Sequence, residues 1–382
     1  MSARTGVPSS GFDVVVIGAG VIGLAIAHAL SRPDRSVLIL ERAPRIASGI
    51  TSRNSEVVHA GLYYPTNSLK AELCVAGRER LYAWCAEKRV ETRRLGKLIV
   101  ATSEAEEQAL DDLLARGLEN GVRGLELIDQ AEVRRLEPDV QARRALLSRE
   151  TGIVDGHALC LSLLAGAEST GAVVSLGQTL RSLSPRSFGW RLEVTRGDAS
   201  PENIDAGCLI DAAGLDADQI AILAGLDVDL LGWRQFRCKG DYFSLSAGGR
   251  ISLERLIYPV PSQAGLGIHA TLDLAGRIRF GPDVEYVESA DPPDFQVDPA
   301  KALAFSKSIR RYLPALSSGD LTPDYAGIRP KRAAQGVSFR DFVVEEASPH
   351  GAPGFVACIG IESPGLTAAL AIAERVAAMA RP

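Results

Sequence analysis

The sequence lacks several features that would each indicate a particular class of protein. Its six cysteines include no CxxC pair and no Cys/His cluster at metal-ligand spacing, which argues against a disulfide framework or a structural zinc site. The net charge is −5, so the basic surplus needed to bind nucleic acid is missing. No apolar run reaches the roughly 18 residues of a membrane span. With a polar N-terminus that resembles no signal peptide, these absences predict a cytoplasmic protein without a transmembrane segment or nucleic-acid partner; peripheral membrane contact stays open.

The remaining composition is that of an ordinary globular protein. The chain has 382 residues, of which 46% are hydrophobic and 23% charged. Because domains usually contain roughly 100 to 200 residues, this length predicts about two of them.

The N-terminal region has the pattern of a βαβ unit. Asp13 to Ile17 is a short β-branched run, "GAGVIG" follows it, a helical apolar pattern comes next, and "SVLILE" is a second strand. Gly18 permits a tight turn, Gly20 allows a pyrophosphate to approach, and Gly23 allows close packing of the helix. Glu41, at the end of the second strand, can accept hydrogen bonds from both ribose hydroxyls and would repel a 2′-phosphate. The pattern predicts a dinucleotide site and disfavours NADP.

Two distant segments favour FAD over NAD. "CLIDAAGLDADQIA" is a strand that ends in a glycine turn, and "GFVACIGIESPGLTAALAIAERVAAM" is a strand, a turn and an amphipathic helix. The first turn of that helix is predicted to hold Ser363, Pro364 and Gly365. Its N-terminal end, Ser363 to Thr367, would stabilise the negative charge of a reduced flavin.

These three regions together resemble the D-amino-acid-oxidase-like FAD flavoproteins, in which both ends of the chain meet on one FAD. Further motifs in the same order resemble the L-2-hydroxyglutarate dehydrogenases: "TSRNSEVVHAGLYY", "GKLIVAT", "TGIVD", "KGDYFSL", "IYPVP" and "SPGLTAALAIAE". The resemblance implies an α/β fold in which a Rossmann-type FAD-binding domain is interleaved with a substrate domain on a mostly antiparallel β-sheet. It also implies non-covalent FAD, a small 2-hydroxy acid as substrate, and hydride transfer to the flavin.

The alternation of patterns predicts the domain boundaries. We expect an FAD-binding domain from residues 12–86, 151–223 and 328–382, and a substrate-binding domain from 87–150 and 224–327. From about Trp233 to Phe280 the sequence predicts successive antiparallel strands, with a hairpin turn at Gly276.

The residues expected to bind the cofactor follow from the βαβ pattern and the resemblance. They lie in the glycine turn, at the end of the second strand, in the polar loop after it, in the second glycine turn, in the "GIRP" segment and at the C-terminal helix: Gly18, Gly20, Val21, Ile22, Gly23, Glu41, Arg42, Thr51, Ser52, Arg53, Asn54, His59, Ala60, Ala213, Gly214, Arg329, Ser363, Pro364, Gly365, Leu366 and Thr367.

Oxidation of a 2-hydroxy acid needs a base for the hydroxyl proton. Of the five histidines, His28 has the setting of a packing residue, and His157 and His350 lie at helix-start and turn positions. His59 precedes small residues, and His269 lies in a β-rich region. With its ordinary pKa near 6.5, a histidine suits this role, so both are candidate bases. The alternative for His59 is a flavin contact.

The same reaction needs cations for the substrate's carboxylates. Arg329, in "YAGIRPKR", resembles the arginine of the "GLRP" segment with which related amino-acid oxidases hold their substrate, and it offers a planar fork for bidentate binding. A surface ion pair is the alternative. Lys239, in "CKGDYF", is a second candidate, which could face the flavin or a second carboxylate. Tyr258 and Tyr64 are candidate hydrogen-bond donors, although core packing would also account for them.

Alternative functions stay open on sequence alone. The same scaffold serves amine and amino-acid oxidases and glycerol-3-phosphate dehydrogenases, and a flavin-bound module without turnover is a further possibility. The sequence does not name the electron acceptor, which could be a quinone, a carrier protein or oxygen.

Overall fold

The computed structural model describes residues 11–246, 249–261, 267–288 and 292–380. The strands, in chain order, are β1 (Gly11–Ile17), β2 (Val37–Glu41), β3 (Val57–Val58), β4 (Thr92–Arg93), β5 (Lys97–Ala101), β6 (Leu125–Asp129), β7 (Arg144–Ser148), β8 (Gly152–Val154), β9 (Val173–Leu176), β10 (Gln178–Pro185), β11 (Trp190–Arg196), β12 (Glu202–Asp211), β13 (Phe236–Leu245), β14 (Leu256–Pro259), β15 (Ala270–Leu272), β16 (Ile278–Phe280), β17 (Glu285–Val287), β18 (Leu321–Lys331), β19 (Val343–Glu346) and β20 (Phe355–Ile359). The helices are α1 (Val21–Leu30), α2 (Leu69–Lys88), α3 (Glu107–Glu119), α4 (Gln130–Leu136), α5 (Gly156–Glu168), α6 (Ala217–Leu223), α7 (Ala302–Ile309) and α8 (Gly365–Met379).

The chain divides into two compact units. Unit 1 contains the residues up to Ser52, Gly156–Phe236 and the residues from Pro330 on, whereas unit 2 contains Arg53–Asp155 and Arg237–Arg329.

These boundaries differ from the predicted ones mainly in two places. Residues 53–86 belong to unit 2, because β3 pairs with β8 and Leu62 joins a core of that unit. Residues 224–236 belong to unit 1, because Val228 and Trp233 pack into its core.

Unit 1 is built on a mixed sheet with the strand order β10-β11-β12-β1-β2-β9; β20 pairs with β12, and β19 with β20. Within this sheet the pairs β1/β12, β1/β2, β2/β9 and β12/β20 are parallel. Val14, Val15 and Val16 are wholly buried, as expected for a parallel strand covered on both faces. Helix α1 packs against α5 and α8. The predicted βαβ unit is confirmed.

Unit 2 contains a larger sheet with the order β17-β13-β16-β15-β14-β5-β7-β6, and a small sheet of β3, β8 and β4. The pairs β5/β7, β6/β7, β13/β16, β13/β17, β14/β15 and β15/β16 are antiparallel, and β14/β5 is parallel. The mostly antiparallel sheet and the fold class are therefore confirmed. Gly276, at φ +80°, forms the predicted hairpin turn between β15 and β16.

Candidate active site

The first glycine turn of unit 1 connects β1 to α1 and has the shape that a dinucleotide requires. Gly18 has φ +103°, and a Cβ there would lie 2.5 Å from the Ala212 carbonyl oxygen. A Cβ on Gly23 would lie 1.9 Å from the Gly18 oxygen, so only glycine lets α1 pack on the turn. Gly20 precedes the helix without a side-chain cap. The N–H groups of the first helical turn are therefore suited to binding a phosphate.

The Glu41 carboxylate accepts two backbone hydrogen bonds and can still accept others from a ribose. Its Oε2 accepts a hydrogen bond from the Ala19 N–H and its Oε1 from the Ala43 N–H, both at 2.8 Å. Because each carboxylate oxygen has two lone pairs, both can also accept from a ribose hydroxyl. Arg42, beside it, forms an ion pair of 2.8 Å with Asp216.

Three further predicted segments of unit 1 lie beside this turn. The Thr51 Oγ1 accepts a hydrogen bond of 3.1 Å from the Val21 N–H, and Ser52 is the exposed residue after it. Gly214, at φ +63°, starts a short 3-10 turn after Ala213. A Cβ on Gly365 would lie 4.0 Å from the Ile22 Cδ1, so the start of α8 lies close to the start of α1. The N-terminal βαβ unit and the C-terminal helix therefore come close together within unit 1.

The start of α8 differs slightly from the prediction. The helix begins at Gly365, so Ser363 and Pro364 precede it instead of lying in its first turn. The N-cap position, Pro364, provides no side-chain cap. Thr367 is wholly buried and Leu366 half-buried. The N–H groups of this helix start are therefore suited to donate to a ligand carbonyl, and their predicted role at a flavin stays a prediction.

Gln235 is a residue of this region that the sequence does not indicate. Its Nε2 donates to the Gly214 oxygen at 3.0 Å, and its Oε1 accepts from the Gly360 N–H at 2.7 Å. Gln235 thereby fixes the second glycine turn to the loop that leads to α8. Nothing in "GWRQFRC" signals this role, because both partners are backbone groups far away in the chain.

The loop after β3 carries His59 and belongs to unit 2. The buried Arg78 Nη1 donates to the Ala60 oxygen at 3.0 Å, and the Asn120 Nδ2 donates to the oxygens of Gly61 and Tyr64, both at 3.0 Å. His59 itself is half-buried. Burial, together with the nearby Lys97 charge, lowers the pKa of His59 to about 3. His59 is therefore neutral at physiological pH.

Arg53 and Asn54 also make their contacts within unit 2. The Arg53 guanidinium lies 3.9 Å from the ring centre of Phe295. The Asn54 Oδ1 accepts from the Glu56 N–H at 2.7 Å, and its carbonyl oxygen accepts from the Tyr325 hydroxyl at 2.7 Å. Their predicted role near a pyrophosphate stays a prediction.

His269 and Tyr258 form an aromatic stack. Their ring centres are 3.5 Å apart and their planes differ by 11°. His269 is 6% exposed and precedes β15, where the Gly281 N–H donates to its carbonyl oxygen at 3.0 Å. The stack fixes the imidazole plane, which is what a positioned base needs.

Lys97, the first residue of β5, lies beside the Tyr258 ring of this stack. The sequence does not single this residue out as a site residue. It is wholly buried, and its Nζ lies 4.4 Å from the ring centre of Tyr63 and 4.5 Å from that of Tyr258. Burial lowers the pKa of Lys97 to about 7. A lysine inside the otherwise apolar run "KLIVA" was the available signal.

Arg329 uses most of its donors on the backbone. Its Nε donates to the Cys238 oxygen at 3.3 Å, and its Nη2 to the oxygens of Lys239 and Asp283 at 3.0 Å and 2.6 Å. The fork expected to bind a carboxylate is thus largely engaged, because β18 and β13 lie close together at Gly240. Among the described contacts, only Nη1 is left for a ligand.

Lys239 is 7% exposed and also has local partners. Its Nζ donates to the Gln296 oxygen at 2.5 Å and lies 3.4 Å from the Asp294 Oδ2. A substrate carboxylate would therefore have to compete with Asp294 for this ammonium.

A family comparison agrees with the nucleotide site of unit 1. The sequence profile described as DAO, FAD dependent oxidoreductase, matches residues 13–379. The chain belongs to this DAO family. As a member, it is an FAD-dependent oxidoreductase.

Individual relatives of this DAO-family chain are similar over nearly its whole length. It is 40% identical to "L-2-hydroxyglutarate dehydrogenase, mitochondrial" of Arabidopsis thaliana, over 96% of the chain and 82% of the relative. It is 30% identical to the Caenorhabditis elegans protein of the same name, over 96% and 92%. The L-alpha-glycerophosphate oxidase of Mycoplasma pneumoniae, solved with FAD bound, has a TM-score of 0.86 and 25% identity over 97% of both chains.

Within the described part of the DAO-family chain, no helix has the length and apolar character of a membrane span. Nor do the described His, Cys, Asp and Glu residues form a group of three or more that could hold a metal ion.

Proposed function

We propose that this DAO-family enzyme oxidises L-2-hydroxyglutarate to 2-oxoglutarate. The observation that carries the proposal is the 40% identity, over 96% of the chain, to a protein named for that activity. The α-hydroxyl and the two carboxylates of this substrate call for a proton acceptor and cationic groups. Unit 2 contains candidates for each.

Unit 1 would hold the FAD. The glycine turn and the first turn of α1 would bind the pyrophosphate, Glu41 the ribose, and the start of α8 the flavin ring. When bound, FAD supplies the acceptor for the hydride that leaves the substrate carbon.

The residues of unit 2 would bind the substrate and accept its hydroxyl proton. His269 or His59 would accept the hydroxyl proton, since the His269 imidazole is fixed by its stack on Tyr258 and burial keeps the His59 imidazole neutral. Arg329 would donate through Nη1 to one carboxylate, and Lys239 would pair with the other in exchange for Asp294. Tyr258 and Tyr64 would donate hydrogen bonds to substrate oxygens.

Anaerobic mixing of the FAD-loaded enzyme with single substrates tests the proposal. We expect L-2-hydroxyglutarate to bleach the flavin absorbance, and D-2-hydroxyglutarate, glycerol 3-phosphate, glycine and sarcosine to leave it oxidised. A flavin that stays oxidised with L-2-hydroxyglutarate while one of the others bleaches it would exclude this substrate.

The electron acceptor is tested with the reduced enzyme. Reoxidation is followed with oxygen and, separately, with a soluble quinone analogue. Fast reoxidation by the quinone analogue with slow reoxidation by oxygen would classify the enzyme as a dehydrogenase, and the reverse as an oxidase.

A further inference from the structure

Asp241, in β13, is a buried carboxylate that lies between two lysines. Its side chain is 0% exposed. Its Oδ2 lies 2.8 Å from the Lys301 Nζ, and its Oδ1 lies 3.9 Å from the Lys239 Nζ. Lys239 and Asp241 are two residues apart in one strand, so their side chains leave it on the same face. A buried carboxylate needs a cation nearby, because an unpaired buried charge is costly, and the distances indicate that Lys301 is that cation.

Lys301, the residue before α7, is held beside Asp241 by the carboxylates of two further residues. Its Nζ lies 2.9 Å from the Asp283 Oδ2 and donates to the Glu285 Oε2 at 2.5 Å. The Asp283 Oδ1 in turn accepts a hydrogen bond of 2.7 Å from the Asp241 N–H. Lys301 is therefore connected to Asp241 both directly and through Asp283.

The Lys239 ammonium lies farther from Asp241 than from its other partners. Its Nζ donates to the Gln296 oxygen at 2.5 Å and lies 3.4 Å from the Asp294 Oδ2. The Asp294 side chain is 68% exposed, and an ion pair with an exposed carboxylate contributes little to stability. A ligand carboxylate can therefore replace Asp294, on the condition that Asp241 does not take the ammonium instead.

We propose that Lys301 is a positioning residue: by neutralising Asp241, it leaves the Lys239 ammonium available for one carboxylate of a dicarboxylate ligand. The inference rests on the proposed function, in which Lys239 pairs with a substrate carboxylate. Without Lys301, the Asp241 carboxylate would have Lys239 as its remaining partner among the described ion pairs. Charges interact more strongly in a buried setting than near the surface, so Asp241 would then hold Lys239 against the ligand. Lys301 acts through Asp241 and not by contact with the ligand.

The first test measures the affinity of the FAD-loaded enzyme for glutarate, a dicarboxylate without the hydroxyl that is oxidised, by titration calorimetry. We expect Lys301→Met to raise the dissociation constant of glutarate by about 10-fold or more, the loss associated with hydrogen bonds to a charged group. Lys301→Arg, which keeps a cation beside Asp241, should restore the affinity to within a few-fold. Lys307→Met, which replaces an exposed lysine of α7, is the matched control and should bind glutarate like the unmodified enzyme.

Removing the charge of Asp241 separates this role of Lys301 from a general effect on packing. Asp241→Asn alone, and Asp241→Asn combined with Lys301→Met, should both bind glutarate within a few-fold of normal, since no buried carboxylate is left to attract Lys239. The double variant buries no unpaired charge, so it tests the proposal even if Lys301→Met does not fold. A double variant with a dissociation constant raised 10-fold or more, or a folded Lys301→Met that binds glutarate normally, would overturn the proposal.

The second test follows flavin reduction by L-2-hydroxyglutarate. In Lys301→Met the concentration that gives half the limiting rate should rise about 10-fold or more, while the limiting rate stays within a few-fold, because Lys301 affects binding only. A slower limiting rate with an unchanged half-saturating concentration would contradict the proposal. If L-2-hydroxyglutarate leaves the flavin of the unmodified enzyme oxidised but the glutarate affinities follow the pattern above, the proposed substrate fails and the role of Lys301 stands.

Discussion

Glu41 is the side chain whose chemistry most directly connects unit 1 to a ribose. Replacing it by glutamine keeps the shape but removes the charge and one acceptor oxygen. We expect Glu41→Gln to weaken FAD binding by about 10- to 100-fold, the loss associated with hydrogen bonds to a charged group. Flavin fluorescence on dilution measures the dissociation constant. Glu87→Gln, on the surface of α2, should not change it, and equal affinity in Glu41→Gln would exclude the ribose role.

Replacing His59 tests whether this residue of unit 2 accepts the substrate's proton or contacts the cofactor. We expect His59→Ala to retain FAD and to slow flavin reduction by about 100-fold or more, because the proton loses its carrier. The flavin content after gel filtration and the rate of anaerobic bleaching are measured together. His157→Ala, an exposed histidine of α5, should behave like the unmodified enzyme. Loss of FAD from His59→Ala would instead assign the imidazole to the cofactor.

At the scale of elements, the conformation of the turn between β1 and α1 depends on the close approach of Gly23 to a backbone oxygen. A Cβ on Gly23 would lie 1.9 Å from a backbone oxygen, which cannot move without shifting the turn. We expect Gly23→Ala to lower the free energy of unfolding by about 1 to 3 kcal/mol and to weaken FAD binding. Gly49→Ala is the control, because among the described residues no atom beyond its own chain neighbours lies within 4 Å of the added Cβ. Thermal unfolding with and without FAD separates the two, and equal Tm values would contradict the expectation.

This turn also shows what the sequence alone can predict. Strand, glycines, helix and terminal acid follow one another within 30 residues or so, and each has a local physical reason, so the βαβ unit is predictable. Arg329 illustrates the opposite case: its donors are taken by carbonyl oxygens of Cys238, Lys239 and Asp283, which lie far away in the chain. Partners of that kind have no signature in residue type, and the same holds for Gln235.

At the scale of the whole molecule, the sequence predicts two domains, and the two compact units divide the chain at positions that differ from the predicted boundaries. The region 53–86 follows the nucleotide-binding strand, and the local pattern groups it with that strand, yet it packs with unit 2. The β3/β8 pairing that decides this joins residues nearly 100 positions apart. Long-range pairing of that kind is not visible in local hydrophobic patterns.

The six cysteines, all buried and reduced, have a consequence for measuring how the molecule opens. Cys160, Cys208 and Cys358 belong to unit 1, and Cys74, Cys85 and Cys238 to unit 2. None should react with a thiol reagent in the native protein at the rate of a free thiol, because the reagent cannot reach a buried sulfur. Rapid labelling of any one without unfolding would contradict this.

Labelling of each set of thiols therefore reports when the unit that contains it unfolds. Mass spectrometry of the labelled peptides, across a denaturant series, measures the extent of labelling of each cysteine separately. Because FAD stabilises the state that binds it, added FAD should delay labelling of Cys160, Cys208 and Cys358. The opening of each half of the molecule can thus be timed without introducing a single probe.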